Sequence, residues 1–220
     1  MMGQKVNPIV QRLNINREWE AKWFTKNKDI FASYIKEDCK IRSYFSSIER
    51  NSQIVKVNIL RSSNTINIHV FSCKPGILIG KKGAGAEHHI SKLRSLLGCD
   101  KVFVDVKEVR DPYLHAAYVA NDICGQIENR MTISGTMQRA AKHVMAAKAL
   151  GVKIIISGRL NGADIARSES VVKGNVALHV FRNNISYALR KAHTLYGIIG
   201  VKVYINKPTK RFNHAKTPKT

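Results

Sequence analysis

The stretch Ile79-Gly80-Lys81-Lys82-Gly83 has the residue types and spacing to hold phosphate. Two glycines bracket two lysines, and without a Cβ the backbone at each glycine can lie against an anion and take positive φ. Downstream, Ala86, Ile90, Leu93 and Leu97 recur by four, three and four residues, which predicts an amphipathic helix that Gly98 can end. The first N–H groups of that helix point toward the same anion, and its dipole favours negative charge there. A G-x-x-G loop that opens a helix clamps about four nucleotides of single-stranded nucleic acid. Gly80, Lys81, Lys82 and Gly83 are therefore candidate RNA-binding residues.

Other chemistries fail on spacing. A Walker loop needs four residues between its first glycine and Gly-Lys-Ser/Thr, but Gly76 precedes Gly80-Lys81-Lys82 by three and no hydroxyl follows. The dinucleotide fingerprint, H-E-x-x-H, G-x-S-x-G and paired carboxylates in a plausible cleft are absent from the sequence. His88 and His89 are neighbours, so on a helix they point to different faces, which suits surface or RNA-contacting roles better than metal ligation. Cys39, Cys73, Cys99 and Cys124 contain no C-x-x-C pair and read as small apolar core residues. No catalytic residue, metal ligand or cofactor is expected, and the chain reads as no enzyme.

The partner class follows from charge. Among 220 residues, 37 Lys and Arg face 15 Asp and Glu, a formal net charge of +22. Such a chain repels itself unless a polyanion neutralises it, and RNA or DNA is the natural one. The 44% hydrophobic content is enough for a globular core. A membrane partner is not expected, because no basic amphipathic helix, lipidation signal or long apolar stretch occurs. The opening MMGQKVNP has no secretory apolar region, which predicts a soluble protein in a reducing compartment.

Around the glycine loop, the hydrophobic period dictates the elements. Val55, Val57 and Ile59 alternate with Lys56 and Asn58, and Ile66, Ile68 and Val70 alternate with Asn67 and His69. Joined by Arg61-Ser62-Ser63-Asn64, these runs predict a β-hairpin. Residues 101–107 predict a strand with Val102, Val104 and Val106 on one face. Lys26–Arg50 is polar and helical in parts. Asp111-Pro112 is a helix start, expected to lead into a helix over Tyr113–Arg130. A second helix is expected over Thr136–Leu150, stopped by Gly151, with Met137, Ala140, Ala141 and Val144 apolar and Arg139, Lys142 and His143 opposite. Val152–Ser157 and the alternation Val201, Val203, Ile205 predict strands in a β-rich remainder, while Ile185–Tyr196 fits either period.

The ends differ from the middle. Residues 1–17 carry Lys5, Arg12 and Arg17 without an acid and read as an extended basic arm, with Lys5 and Arg12 as RNA contacts. Residues 207–220 carry five Lys or Arg, two prolines and no acid, so a disordered basic tail is expected. Between them lie an N-terminal domain at 18–109, its core about 39–109, and a second domain at 110–206. Arg159 and Arg167 flank Gly162 in a loop of small residues. Phosphate contact suits them, and the competing assignment is a surface salt bridge to Asp164 or Glu169.

Four stretches resemble one family. Met2-Gly3-Gln4-Lys5-Val6-Asn7-Pro8 is similar to the opening of small ribosomal subunit protein three, the universal S-three protein, in its bacterial and organellar form. Pro75–Gly83 is similar to that family's KH loop, Ser157–Gly162 through Ala166-Arg167 to its second-domain signature, and Tyr196–Val203 to its last strand. The resemblance implies an α+β fold: a type II KH domain, then two helices with a mainly antiparallel β-sheet in which Ile185–Tyr196 is a strand, with basic extensions at both termini. It implies a structural constituent of the small-subunit head on a cytoplasmic or organellar ribosome, bound to rRNA. Implied too are a place at the channel through which mRNA enters, S-ten and S-fourteen as neighbours, and S-four and S-five across the channel. Family members carry basic residues near Arg139 that help open structured mRNA. Here Ser134, Gly135 and Gln138 depart from that pattern, leaving Arg139 and Lys142. The alternative is a freestanding KH regulator or assembly factor.

Overall fold

The computed structural model describes residues 5–62, 65–99 and 101–208. Strand β1 (Ala21–Lys22), helix α1 (Lys28–Ser52), β2 (Ile54–Arg61), β3 (Ile66–Ser72), α2 (Pro75–Ile79), α3 (Ala84–Leu97) and β4 (Val102–Glu108) build the first unit. Its sheet runs β1-β2-β3-β4, antiparallel at β2/β3 and parallel at the other two pairings. From α1 onward the order α-β-β-α-α-β is that of a type II KH domain. Alternation decides the register: Ile66, Ile68 and Val70 of β3 are buried while Asn67, His69 and Phe71 are half-buried. The buried set meets Ile41 and Phe45 of α1, Leu78 of α2 and Leu93 of α3 in one core.

Helix α1 is continuous where only parts of a helix were expected. Asn27 caps it by accepting a hydrogen bond from the Asp29 amide, and Gln53 ends it in a left-handed conformation. The polarity of the helix is explained by a charged contact on its packed side. Asp38 accepts from Arg61 at 2.7 Å and from the Trp23 indole at 2.9 Å, and Arg61 also reaches Glu37. The Arg61 guanidinium lies over the Tyr34 ring at 4.6 Å.

The second unit holds α4 (Ala116–Glu128), α5 (Ile133–Ala146), β5 (Gly151–Gly158), β6 (Arg167–Gly174), β7 (Asn184–Thr194) and β8 (Gly197–Lys207). The sheet order β6-β5-β8-β7 is antiparallel throughout. Val152, Ile154 and Ile156 of β5 and Val201, Val203 and Ile205 of β8 pack on Val119, Ile123, Met137 and Val144 of the two helices. Their neighbours Tyr204 and Asn206 are covered as well, Tyr204 by Tyr187 at 4.8 Å and Asn206 by its bond to the Asn175 carbonyl.

Several expectations need correction. Pro112–Leu114 form a 3-10 turn, and His115 is extended at φ −105, ψ 118, so α4 starts at Ala116. Helix α5 starts at Ile133, three residues before the expected Thr136, because Ile133 is part of the core, and it ends at Ala146 instead of Leu150. Lys148 turns the chain with φ 61, and Gly151 already belongs to β5, where a Cβ would meet Asn175 at 2.5 Å. Of the four cysteines only Cys124 is buried, and Cys39 is exposed on α1.

The N-terminal arm is the largest departure. From Asn7 onward it is folded: Val10–Arg12 is a 3-10 turn, and the segment binds residues 178–185. Arg12 is fully buried and donates to the carbonyls of Pro8, Leu178, Val180 and Asn183 at 2.9–3.0 Å. Asn16 and Arg17 reach the carbonyls of Asn183 and Ile185, and β1 then joins the KH sheet. The segment thus straps the second unit to the first. Charged pairs close the other side of the joint: Arg190 binds Glu49, and Arg50 meets Glu128 at 3.0 Å and the Lys191 carbonyl at 3.0 Å. The expected basic tail from residue 209 on, and residues 1–4 of the arm, lie outside the described residues.

Candidate nucleic-acid interface

The two loop glycines do different work. Gly80 has φ 70, ψ −177, a region open only to glycine. A Cβ there would also lie 2.9 Å from the Gly85 amide nitrogen, and a Cβ on Gly85 would lie 2.7 Å from the Leu78 carbonyl. Helices α2 and α3 therefore meet backbone to backbone, which the spacing Gly80…Gly85 permits. Gly83 takes φ 87, ψ −3 as the N-cap of α3, and nothing lies within 4 Å of where its Cβ would be. Its backbone faces open space, with no side chain capping the helix.

Lys81 is exposed beside this opening. Ile77 and Ile79 are exposed on the same short turn while Leu78 between them is buried. An apolar surface beside a phosphate cradle is suited to the bases of a bound strand. Nothing in the sequence marks the two isoleucines as surface residues, because an apolar triplet does not disclose which member faces out. His89 has a structural role: Tyr44 Oη and His89 Nδ1 share a hydrogen bond of 2.6 Å, and burial, with His88 and Lys92 nearby, holds the imidazole below its usual pKa. Among the described residues no group of three or more His, Cys, Asp or Glu could hold a metal ion.

The second unit presents two further basic places. On α5, Ile133, Met137, Ala140, Ala141 and Val144 are buried, which turns Arg139 and Lys142 to solvent. His143 is stacked on Tyr113 at 5.1 Å. Arg159 and Arg167 bracket the loop after β5, where Asn161 and Gly162 take φ 54 and φ 80. Arg159 donates to the Ala163 carbonyl and to Asp164 at 2.9 Å, and Arg167 meets Glu169 at 3.1 Å. Both carboxylates anticipated as competing partners are thus in contact. Asp164 is 99% exposed, so that pair is a solvent-screened one that contributes roughly 0–1 kcal/mol.

Residues 157–162 and 196–203, far apart in sequence, meet here. A Cβ on Gly162 would lie 2.9 Å from the Tyr196 ring, and the Arg159 guanidinium stands 5.7 Å from the same ring. With Arg130, Met131 and Leu195 they line an open groove of about 760 Å³. Among the described residues no side-chain hydrogen bond joins the KH loop to the outer face of α5 or to this groove, which the first residue of α5, Ile133, helps to line. Of the arm candidates, Lys5 is exposed, whereas Arg12 cannot serve as an RNA contact in this fold because its donors are bound to backbone carbonyls.

Two family profiles match the chain: "KH domain" over residues 40–114 and "Ribosomal protein S3, C-terminal domain" over residues 123–205. Small ribosomal subunit protein uS3 of Polaromonas naphthalenivorans (strain CJ2) is 43% identical over 206 residues, 94% of this chain and 69% of that protein. The uS3 protein of Enterococcus faecalis (strain ATCC 700802 / V583) is 40% identical over 214 residues, 96% of this chain and 97% of that protein. That of Acidovorax sp. (strain JS42) is 40% identical over 206 residues, 94% of this chain and 71% of that protein.

Proposed function

The chain belongs to the family of small ribosomal subunit protein uS3, and on that premise we propose that its KH loop and the basic face of α5 bind RNA in the head of the small subunit, where mRNA enters. As a member of that family it is a structural, RNA-binding constituent of the ribosome and not an enzyme. Similarity that runs through both domains gives no support to a freestanding regulator, which needs only the first.

The observation that carries the proposal is the open backbone at Gly83, with Lys81 exposed beside it and behind it a helix N-terminus that no side chain caps, though the Ala84 amide already donates to the Lys81 carbonyl. Backbone N–H groups, a helix dipole and a cation then converge on one anion. The proposed RNA contacts are Lys5, Gly80, Lys81, Lys82, Gly83, Arg139, Lys142, Arg159 and Arg167. We also propose units at 18–109 and 110–206, and S-ten, S-fourteen, S-four and S-five as neighbours in a cytoplasmic ribosome. Arg139 and Lys142 are the α5 cations that would meet incoming mRNA.

The test replaces Lys81 and Lys82 together by Asp. Loop substitutions away from the core usually cost little stability, so circular dichroism should be unchanged. Binding of single-stranded RNA should weaken, and the slope of log affinity against log salt should flatten by roughly one to one and a half, since each phosphate contact contributes about 0.7. Equal affinity and equal slope in two folded proteins would remove the loop from the interface.

A further inference from the structure

We propose that the seam between the two units, at Arg17, Lys56, His115 and Lys207, is a binding site for one phosphate group of the RNA backbone. The proposal rests on the RNA-binding function above but concerns residues that function does not use.

The four side chains come from four elements. Lys207 ends β8, and its ammonium donates to His115 Nδ1 at 3.1 Å. Arg17, in the strap, donates to the Ile185 carbonyl at 2.9 Å. Asn184 pairs with Lys207 in the β7/β8 ladder, and Ile185 is the next residue, so this guanidinium stands at the end of the ladder that carries Lys207. Lys56 comes from β2 of the KH sheet, where it lines a small groove with Glu20 and Glu49, and it stands near enough for its charge to act on both His115 and Lys207. All four are half-buried, neither free in solvent nor sealed from it.

What the cluster lacks is an ion pair. Among the described residues, none of Arg17, Lys56 and Lys207 has a carboxylate within 4.0 Å. Glu18 pairs with Lys22 and Glu20 with Arg42, and from beyond that distance Glu20 acts on Arg17 and Lys56 and Glu18 on Lys56, whereas only positive charges act on His115 and Lys207. Burial and mutual repulsion push Lys207 down to about 8 and His115 down to about 4, and burial also lowers Arg17 and Lys56. A half-buried ammonium such as that of Lys207, on which no acid acts, is costly. A phosphate entering the seam would remove that cost and engage each cation in a charge-assisted hydrogen bond. His115 is also the N-cap of α4, whose first turn carries no acidic residue, so the positive end of the helix dipole adds to the field. A group bound here would touch both units and the strap at once, fixing their relative placement on the RNA.

Inorganic phosphate and an RNA phosphodiester share this chemistry, and the experiment separates them. Amide and side-chain resonances of Lys207 and Ala116 in the full-length protein are followed as inorganic phosphate replaces chloride at constant ionic strength. A saturable shift is expected in the wild type and not in His115→Asp, where a carboxylate takes the anion's place beside Lys207, nor in Lys207→Gln. Small-subunit rRNA should then displace the bound phosphate. The salt slope for that rRNA should flatten by about 0.7–0.9 in His115→Asp, the contribution of one phosphate.

No saturable shift in the wild type overturns the site. A shift that rRNA does not displace, or a folded His115→Asp protein with an unchanged slope, overturns RNA as the source of the phosphate. Co-sedimentation of His115→Asp with the small subunit shows in either case whether the ribosomal function stands when the seam site does not.

Discussion

Replacing Arg12 by Met separates a structural arginine from an RNA-binding one. Methionine keeps much of the volume and removes every donor. Four carbonyls, those of Pro8, Leu178, Val180 and Asn183, lose a charged partner at 2.9–3.0 Å. Each such bond to a charged group contributes about 1.5–3 kcal/mol in isolation. The four are not additive, because the strap can peel away and let water reach the carbonyls. A loss on the order of 3–5 kcal/mol is therefore expected, as when one partner of a buried charged network is removed. For a chain of this size each kcal/mol lowers the thermal midpoint by roughly 2–4 °C, so the drop should be about 6–20 °C. The assay is thermal unfolding by circular dichroism, with a salt series for RNA binding at a temperature where both proteins are folded. A midpoint within 2 °C or so of wild type, together with a flattened salt slope, would refute the buried assignment and restore Arg12 to the RNA surface.

Gly83→Ala should fold with a penalty of about 1–2 kcal/mol from its left-handed φ alone, whereas Gly80→Ala adds the clash with Gly85 and should be clearly the less stable in denaturant titrations. The folded state resists protonation of His115, which faces Lys207 of β8, Arg17 of the strap and Lys56 of β2, and whose pKa is pushed down to about 4. Unfolded chains take up that proton below about 6.5, so stability should fall as pH drops from there toward 4. Denaturant midpoints of His115→Asn should lack this limb, and an unchanged acid limb would contradict the burial of the imidazole. Changing Arg159 and Arg167 together to Ala should cost under about 1 kcal/mol each and weaken rRNA binding; a collapsed thermal midpoint with intact affinity would assign both to structure.

Periodicity revealed those elements whose two faces differ. Strand β3 was legible because Ile66, Ile68 and Val70 alternate with polar residues, and the glycine loop because its glycines sit between an apolar turn and a helical stripe. Strand β6 was hidden within a remainder read only as β-rich, since a polar edge strand such as Arg167–Gly174 has no apolar face to announce it. Arg12 was misread for a related reason. Its partners are main-chain carbonyls up to 171 residues away, and a carbonyl leaves no trace in side-chain chemistry. The seam residues were invisible too, because Arg17, Lys56, His115 and Lys207 share neither a motif nor a period and come from two units and a strap. The groove around Tyr196 was half legible: both of its sequence stretches stood out, but not that Gly162 receives the Tyr196 ring.

One sedimentation measurement shows whether this chain is a structural member of the small ribosomal subunit. An epitope-tagged copy is expressed in the source cells, ribosomes are resolved on a sucrose gradient in high salt, and the tag is followed with mass spectrometry of each fraction. The chain is expected to sediment with the small subunit and to stay there in high salt, in proportion to the other subunit proteins. Release to the top of the gradient as salt rises, with the subunit intact, would contradict that membership.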